Sequence, residues 1–268
     1  MRRRSFVAAL ASAPWAIAQG ANSTRAAKAN ARIPYGKDPS QFGELYLPKG
    51  PRPYPVVIAI HGGFWKNTTT LETLAPLCLA LAEAGAAVWN LEYRRIGDPG
   101  AEWPGMADDI VRGAEELPAL QARYSLDLSR LTAVGFSAGG QLALWLAVQR
   151  VADLRGVTGL AAISDLRRAY AMQLDGGAVR QLLGGTPNQI PQRYAAASPS
   201  ELLPISVPQR LVHGTDDRVV PFDLSRRFSK ASSNCKLIPV SGAGHYDLID
   251  PRSRFWPTVQ HAILDWQF

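Results

Sequence analysis

Short apolar runs alternate along this chain with longer segments whose apolar side chains recur every three or four residues. Val56–Ile60, Ala86–Leu91, Leu131–Phe136, Val157–Ile163, Gln209–Val212 and Lys236–Val240 read as strands. Most are nearly unbroken in Val, Ile, Leu and Ala, which suits strands of a parallel sheet covered on both faces. Helical patterns lie between them, at residues 70–84, 106–123, 139–151, 222–232 and 253–266. That alternation predicts an α/β fold: a mostly parallel, doubly wound central sheet with helices on both faces. Gly43–Leu47 fits an antiparallel edge strand at the start. Residues 164–206 break the rhythm with weak helical pieces and the turn formers Gly184-Gly185-Thr186-Pro187. In open α/β sheets ligands bind outside the carboxyl ends of the strands, so this insertion is expected to be a small cap there.

Composition changes the picture mainly at the N-terminus. With 47% hydrophobic and 19% charged residues in 268, the chain has the makeup of a globular domain and not of a disordered one. Its net charge of +7 lies entirely in residues 1–37, which hold seven basic and no acidic residues. The remainder is balanced, with no basic patch interleaved with aromatics, which argues against a nucleic-acid partner. Arg2–Arg4, the apolar stretch Phe6–Ile17 and the small-x-small site Ala16-Ile17-Ala18 have the form of an export signal over residues 1–18. Arg3-Arg4-Ser5-Phe6-Val7 resembles the twin-arginine pattern. The expected location is therefore periplasmic or extracellular, with residues 19–37 as a leader and 38–268 as the folded body. The apolar stretch is too short for a membrane span and is interrupted by Pro14. Cys78 and Cys235 make no disulfide framework and read as packing residues.

The chemistry centres on Gly135-Phe136-Ser137-Ala138-Gly139-Gly140, placed between an expected strand and an expected helix. A serine on such a sharp turn needs small neighbours, and its hydroxyl then projects above the sheet at a helix N-terminus. A hydroxyl is a poor nucleophile without a base. Of the four histidines, His245 in Gly242-Ala243-Gly244-His245 follows the last strand on a flexible loop. His61 and His213 end strands and are better placed to bond loop backbone, while His261 sits in the C-terminal helix pattern. An acid must orient the base, and Asp216 and Asp217 both follow a strand. Asp217 is preferred because it satisfies the pattern His-Gly-x-x-Asp-x-x-Val-Pro, with Asp216 an alternative on spacing alone. His61-Gly62-Gly63-Phe64-Trp65 supplies a glycine-rich turn for an oxyanion hole. The expected donors are the backbone N–H groups of Phe64 and Ala138, with Gly63 a third candidate.

Segments 61–65, 135–140, 213–221 and 242–245 resemble the α/β-hydrolase superfamily, in particular small esterase-like members related to the catalytic domain of prolyl oligopeptidases. The resemblance covers residues 40–268 and extends to Tyr93-Arg94, Trp103-Pro104 and Tyr194–Pro199. It implies a serine hydrolase acting on a small-molecule carboxylic ester through Ser137, Asp217 and His245. His-Gly-Gly-x-Trp is also similar to kynurenine formamidases, which gives amide hydrolysis as an alternative, and a non-catalytic hydrolase-fold binder is another. Peptidase action is disfavoured because the oligopeptidase relatives carry a propeller that this chain lacks. Phe64, Trp65, Trp103 and Tyr246 flank the motifs and are expected to wall the substrate pocket, or for Trp65 and Trp103 to belong to the core. No sequence pattern implies a metal or an organic cofactor.

Overall fold

The computed structural model describes residues 28–266. Among them, eight strands form one sheet: β1 (Ala31–Pro34), β2 (Phe42–Tyr46), β3 (Tyr54–Ile60), β4 (Ala87–Leu91), β5 (Leu126–Phe136), β6 (Val157–Leu160), β7 (Gln209–Gly214) and β8 (Cys235–Val240). Their spatial order is β1-β2-β4-β3-β5-β6-β7-β8. β1 and β2 pair antiparallel, as do β2 and β4, and the other neighbours run parallel. The helices are α1 (Ala75–Glu83), α2 (Gly105–Glu115), α3 (Leu117–Tyr124), α4 (Ala138–Gln149), α5 (Leu166–Ala171), α6 (Ala178–Leu183), α7 (Pro191–Ala197), α8 (Asp223–Ala231) and α9 (Trp256–Leu264).

Apart from the edge strand β8, the apolar runs are buried on both faces almost throughout, as their composition requires. Within β3, Val56, Ile58 and Ile60 face the layer holding α2, α3, α4 and α8, while Val57 and Ala59 face the layer of α1 and α9. The period-2 pleat thus divides one strand between two cores. Helix α4 is the apolar centre of its layer. Leu142, Leu144 and Leu146 are all buried, each contributing about 1.5–3 kcal/mol relative to an exposed side chain.

Three expectations need correction. The folded body begins before residue 38, because Ala31–Pro34 of the expected leader pairs with β2, which leaves Phe42–Tyr46 inside the sheet instead of at its edge. The single helical pattern at 106–123 is two helices, divided where Pro118 enters the first turn of α3. The insertion 164–206 carries α5, α6 and α7, but none of its residues lines the cavity at Ser137. It is tied in beside that cavity, through an ion pair of 2.6 Å between Asp175 and Lys66 and a hydrogen bond from Gln141 Nε2 to the Ala197 carbonyl. Cys78 and Cys235 are free thiols, and burial pushes that of Cys235 up to about 12. The proposed signal at residues 1–18 lies outside the described residues.

Candidate active site

The sheet order changes direction between β3 and β5. From β3 the chain crosses to β4 on one side, and from β5 it proceeds to β6 on the other. A crevice outside the carboxyl ends of strands forms at such a switch point. Register places Ile60 opposite Gly135, so the turn after β3 and the turn after β5 are neighbours. They touch: a Cβ on Gly62 would lie 2.7 Å from the Phe136 carbonyl oxygen and 2.9 Å from Ser137 Cβ.

Ser137 is the junction between β5 and α4, at φ 56° and ψ −117°, a backbone region that L-residues seldom occupy. Its surroundings fix that conformation. The Ser137 N–H donates to the Leu160 carbonyl (2.8 Å), and its own carbonyl accepts from the N–H groups of Gly140, Gln141 and Ile163. The motif glycines are needed for close approach. A Cβ on Gly139 would meet the Ile60 carbonyl oxygen at 2.1 Å, and one on Gly135 the Gly139 carbonyl oxygen at the same distance.

The loops after β7 and β8 are stitched together by Thr215 N–H to Val240 O (3.0 Å), Asp216 N–H to Ala243 O (3.0 Å) and Gly242 N–H to Thr215 Oγ1 (2.9 Å). Asp217 and His245 meet as a result. His245 Nδ1 lies 2.6 Å from Asp217 Oδ2, with both side chains almost fully buried. Asp217 Oδ1 accepts the N–H groups of Val219 and Val220, each at 2.8 Å. His213 Nε2 stands 3.3 Å from Oδ2. Burial alone would raise the Asp217 carboxyl, but hydrogen bonds from His213 and His245, the charge on His245 and the Val220 N–H outweigh it and hold the group well below the usual carboxylate range. Asp216, the alternative on spacing, is exposed and accepts from Thr215 Oγ1.

His213 is a supporting residue, as its place at a strand end suggested. Its Nε2 faces the Val220 carbonyl (2.9 Å), an acceptor, so that nitrogen carries hydrogen and Nδ1 accepts from Ser225 Oγ (2.7 Å). The His245 ring rests on Phe136, centroids 4.6 Å apart, which brings the β8 loop over the β5 turn. Ser137 and His245 line one small cavity with Gly63, Phe64 and Tyr246.

The turn after β3 has three successive residues at positive φ: Gly63 (105°), Phe64 (50°) and Trp65 (61°). It is held by a buried polar cluster that sequence reasoning missed. His61 Nδ1 donates to the Gly62 carbonyl (2.8 Å), and Nε2 lies 2.9 Å from Glu92 Oε1. Glu92 also accepts the N–H groups of Tyr93 and Leu71, each at 3.0 Å, and pairs with Arg95 at 3.0 Å. Arg95 Nη1 donates to the Thr69 carbonyl at 2.6 Å, and the Tyr93 hydroxyl to the His61 carbonyl at 2.8 Å. Glu92 has desolvation as its largest influence, which would raise it; the hydrogen bond from His61, with the charges of His61 and Arg95, reverses the direction and lowers it. Ala138, the first residue of α4, has no acceptor for its N–H within the helix, as an oxyanion donor requires.

The aromatic walls need correction. Trp65 is fully buried and donates through Nε1 to Gln141 Oε1 (3.0 Å), while Trp103 packs edge-on against Trp145, centroids 5.3 Å apart. Both belong to the core: the left-handed turn at 63–65 directs the Trp65 side chain down onto α4. Tyr246 does line the cavity, and so do Phe136, next to the predicted serine, Val219, two residues past the predicted aspartate, and Thr69 and Thr73, which no motif marks.

Known proteins of this fold are numerous. The chain is 26% identical over 257 residues to the esterase LipC of Mycobacterium tuberculosis, covering 87% of this chain and 63% of LipC. It therefore spans less than two thirds of that relative's length. A bifunctional GH43-CE protein of Bacteroides eggerthii superposes with a TM-score of 0.76 at 22% identity, over 87% of this chain and 37% of that one. A propionate-bound thermophilic esterase from Thermogutta terrifontis gives a TM-score of 0.70 at 20% identity, over 88% and 92% of the two chains. These likenesses place the sheet and its helices in the α/β-hydrolase fold. The BD-FAE family model matches residues 44–231, well over half of the sequence, and the chain belongs to that family.

Proposed function

We propose that this protein hydrolyses carboxylic esters through an acyl-enzyme, with Ser137 as nucleophile, His245 as general base and then general acid, and Asp217 as the group that orients and charges the imidazole. The observation that carries this reading is the pairing of His245 Nδ1 with a buried, ionised Asp217 at the wall of the cavity that Ser137 also lines. With Nδ1 donating to the carboxylate, Nε2 is the nitrogen left to accept the serine proton. Attack by Ser137 Oγ on the ester carbonyl gives a tetrahedral oxyanion, which the N–H groups of Phe64 and Ala138 receive, with Gly63 allowing close approach. His245 then passes the proton to the departing alcohol, and water repeats the sequence on the acyl-serine. The esterase name of the curated relative agrees with this assignment.

The fluorophosphonate reaction tests it directly. The purified protein becomes labelled at Ser137 and loses p-nitrophenyl acetate hydrolysis in step with labelling. Labelling elsewhere, or full turnover after Ser137 is blocked, refutes the assignment.

We further propose that residues 1–18 direct export and are removed. Support comes from the Arg3-Arg4 pair, the short apolar stretch and the Ala16-Ile17-Ala18 site. Expression in a bacterial host followed by fractionation and N-terminal sequencing tests this. Mature protein beginning near residue 19 outside the cytoplasm is the expected result, and a cytoplasmic chain retaining Met1 refutes it.

A further inference from the structure

We infer that the cavity at Ser137 is a short acyl slot that admits acetyl and propionyl groups and excludes aromatic and longer acyl groups, with Thr69 and Thr73 forming its closed end. The inference rests on the ester-hydrolase reading and adds the substrate class.

Direction comes first. The leaving oxygen of the ester must lie near His245, which gives it a proton. Beside His245 stands Tyr246, 50% exposed, so the alcohol portion leaves the site on the open side. The carbonyl oxygen is committed to the turn at Phe64 and Ala138. The acyl chain is then left to run toward the remaining lining residues, Thr69, Thr73, Phe136 and Val219.

Size comes second. The cavity measures about 60 Å³. Small-molecule pockets are usually about 300–1,000 Å³, and an apolar cavity known to take up benzene measures about 150 Å³. One or two carbons beyond the carbonyl fit such a space, and a ring does not. The tryptophans that would have offered an aromatic cradle are in the core.

Rigidity comes third, since a soft wall would yield to a longer chain. The Thr69 side chain lies directly on Gly63: a Cβ there would meet Thr69 Cβ at 2.4 Å and Oγ1 at 2.5 Å. The Thr69 carbonyl accepts from Arg95, which is itself paired with buried Glu92. Thr73 lies in a 3₁₀ turn, Leu71–Leu74, whose two leucines are each 1% exposed and whose first N–H is bound by Glu92. Displacing this wall means breaking hydrogen bonds to the buried Arg95–Glu92 pair, a cost that a few added methylenes do not offset. Discrimination of about 10–200-fold per poorly fitting methylene is the usual scale.

The test compares kcat/KM for p-nitrophenyl acetate, propionate, butyrate, hexanoate and benzoate in the wild type, Thr69→Ala, Thr73→Ala and Thr73→Ser. The wild type is expected to favour acetate over hexanoate and benzoate by more than about 100-fold. Each alanine variant should raise the butyrate-to-acetate ratio by about 10-fold or more, the space freed being that of a small side-chain group. Thr73→Ser, the mildest change, gives a smaller shift in the same direction and serves if an alanine variant fails to fold. Comparable rates on acetate and hexanoate in the wild type overturn the slot. Strong acetate preference with unchanged ratios in every folded variant overturns the role of the two threonines. The ester reading fails separately, and takes this inference with it, if no ester is cleaved and Ser137 takes no phosphonate label.

Discussion

His245 Nδ1 lies 2.6 Å from Asp217 Oδ2, although 28 residues of chain and two strand ends separate them. With Val219 and Val220 N–H groups filling the other carboxylate oxygen, Asp217 has little freedom to turn away. Asp217→Asn keeps the shape and removes the charge, and its amide can present hydrogen to Nδ1, favouring the wrong tautomer. A fall in kcat of about 10⁴-fold with a small change in KM is expected. Steady-state kinetics with p-nitrophenyl acetate decide it, and a loss below tenfold would show that Asp217 is not coupled to turnover.

Ser137 supplies a second prediction, about stability instead of rate. At φ 56° and ψ −117° the residue carries a conformational cost that glycine avoids and alanine does not. Both Ser137→Ala and Ser137→Gly abolish turnover while folding normally. The glycine variant should be the more stable of the two by about 1 kcal/mol, relief of strain exceeding the added freedom of the unfolded chain. Urea denaturation of the two variants measures the difference, and a less stable glycine variant would mean that the turn carries no strain.

Much of this arrangement was legible in the sequence because its signals are local. Strands buried on both faces are unbroken apolar runs, and the serine, aspartate and histidine each sit in a short motif just past such a run. What escaped depends on distant partners. Trp65 and Trp103 stand beside site motifs in the chain, yet the path of the backbone sends them into the core against Gln141 and Trp145. Thr69, Thr73 and Glu92 have no motif of their own, and only the pairing of β3 with β4 brings Glu92 to His61. β1 was hidden in the basic leader because it is four residues long, half-buried and ends in Pro34, with a weak alternation that resembles loop.

Gly139 offers a contrast between close approach and backbone conformation. A Cβ there would stand 2.1 Å and 2.3 Å from the carbonyl oxygens of Ile60, at the end of β3, and of His61, which the Tyr93 hydroxyl holds. Gly85 has φ 103° but nothing within 4 Å of its would-be Cβ. Gly139→Ala must push α4 away from β3 and should destabilise by about 3 kcal/mol or more, with loss of activity because Ser137 moves as well. Gly85→Ala costs about 1 kcal/mol from its dihedral alone and leaves kcat unchanged. Thermal denaturation and p-nitrophenyl acetate assays on both variants check the ranking. Equal effects would mean that the elbow can relax.

Two of the depressed carboxylates, those with buried side chains at the site and behind it, contribute to how the protein responds to acid. Asp217 and Glu92 are both held below their ordinary values in the folded state, so each binds a proton more readily when unfolded. Their stabilisation is complete above the unfolded carboxylate values of about 4 and is lost as pH falls through the folded ones. Glu92→Gln isolates the part that Glu92 contributes. The neutral amide cannot balance Arg95 and presents hydrogen toward donors, so stability at neutral pH should fall by about 3–5 kcal/mol. The gap from wild type should then narrow as pH is lowered below about 4, where the wild-type carboxylates also take up protons. Urea midpoints for wild type and Glu92→Gln between pH 7 and pH 3 measure this, and a gap independent of pH would show that the Glu92 charge is not what holds the His61 turn.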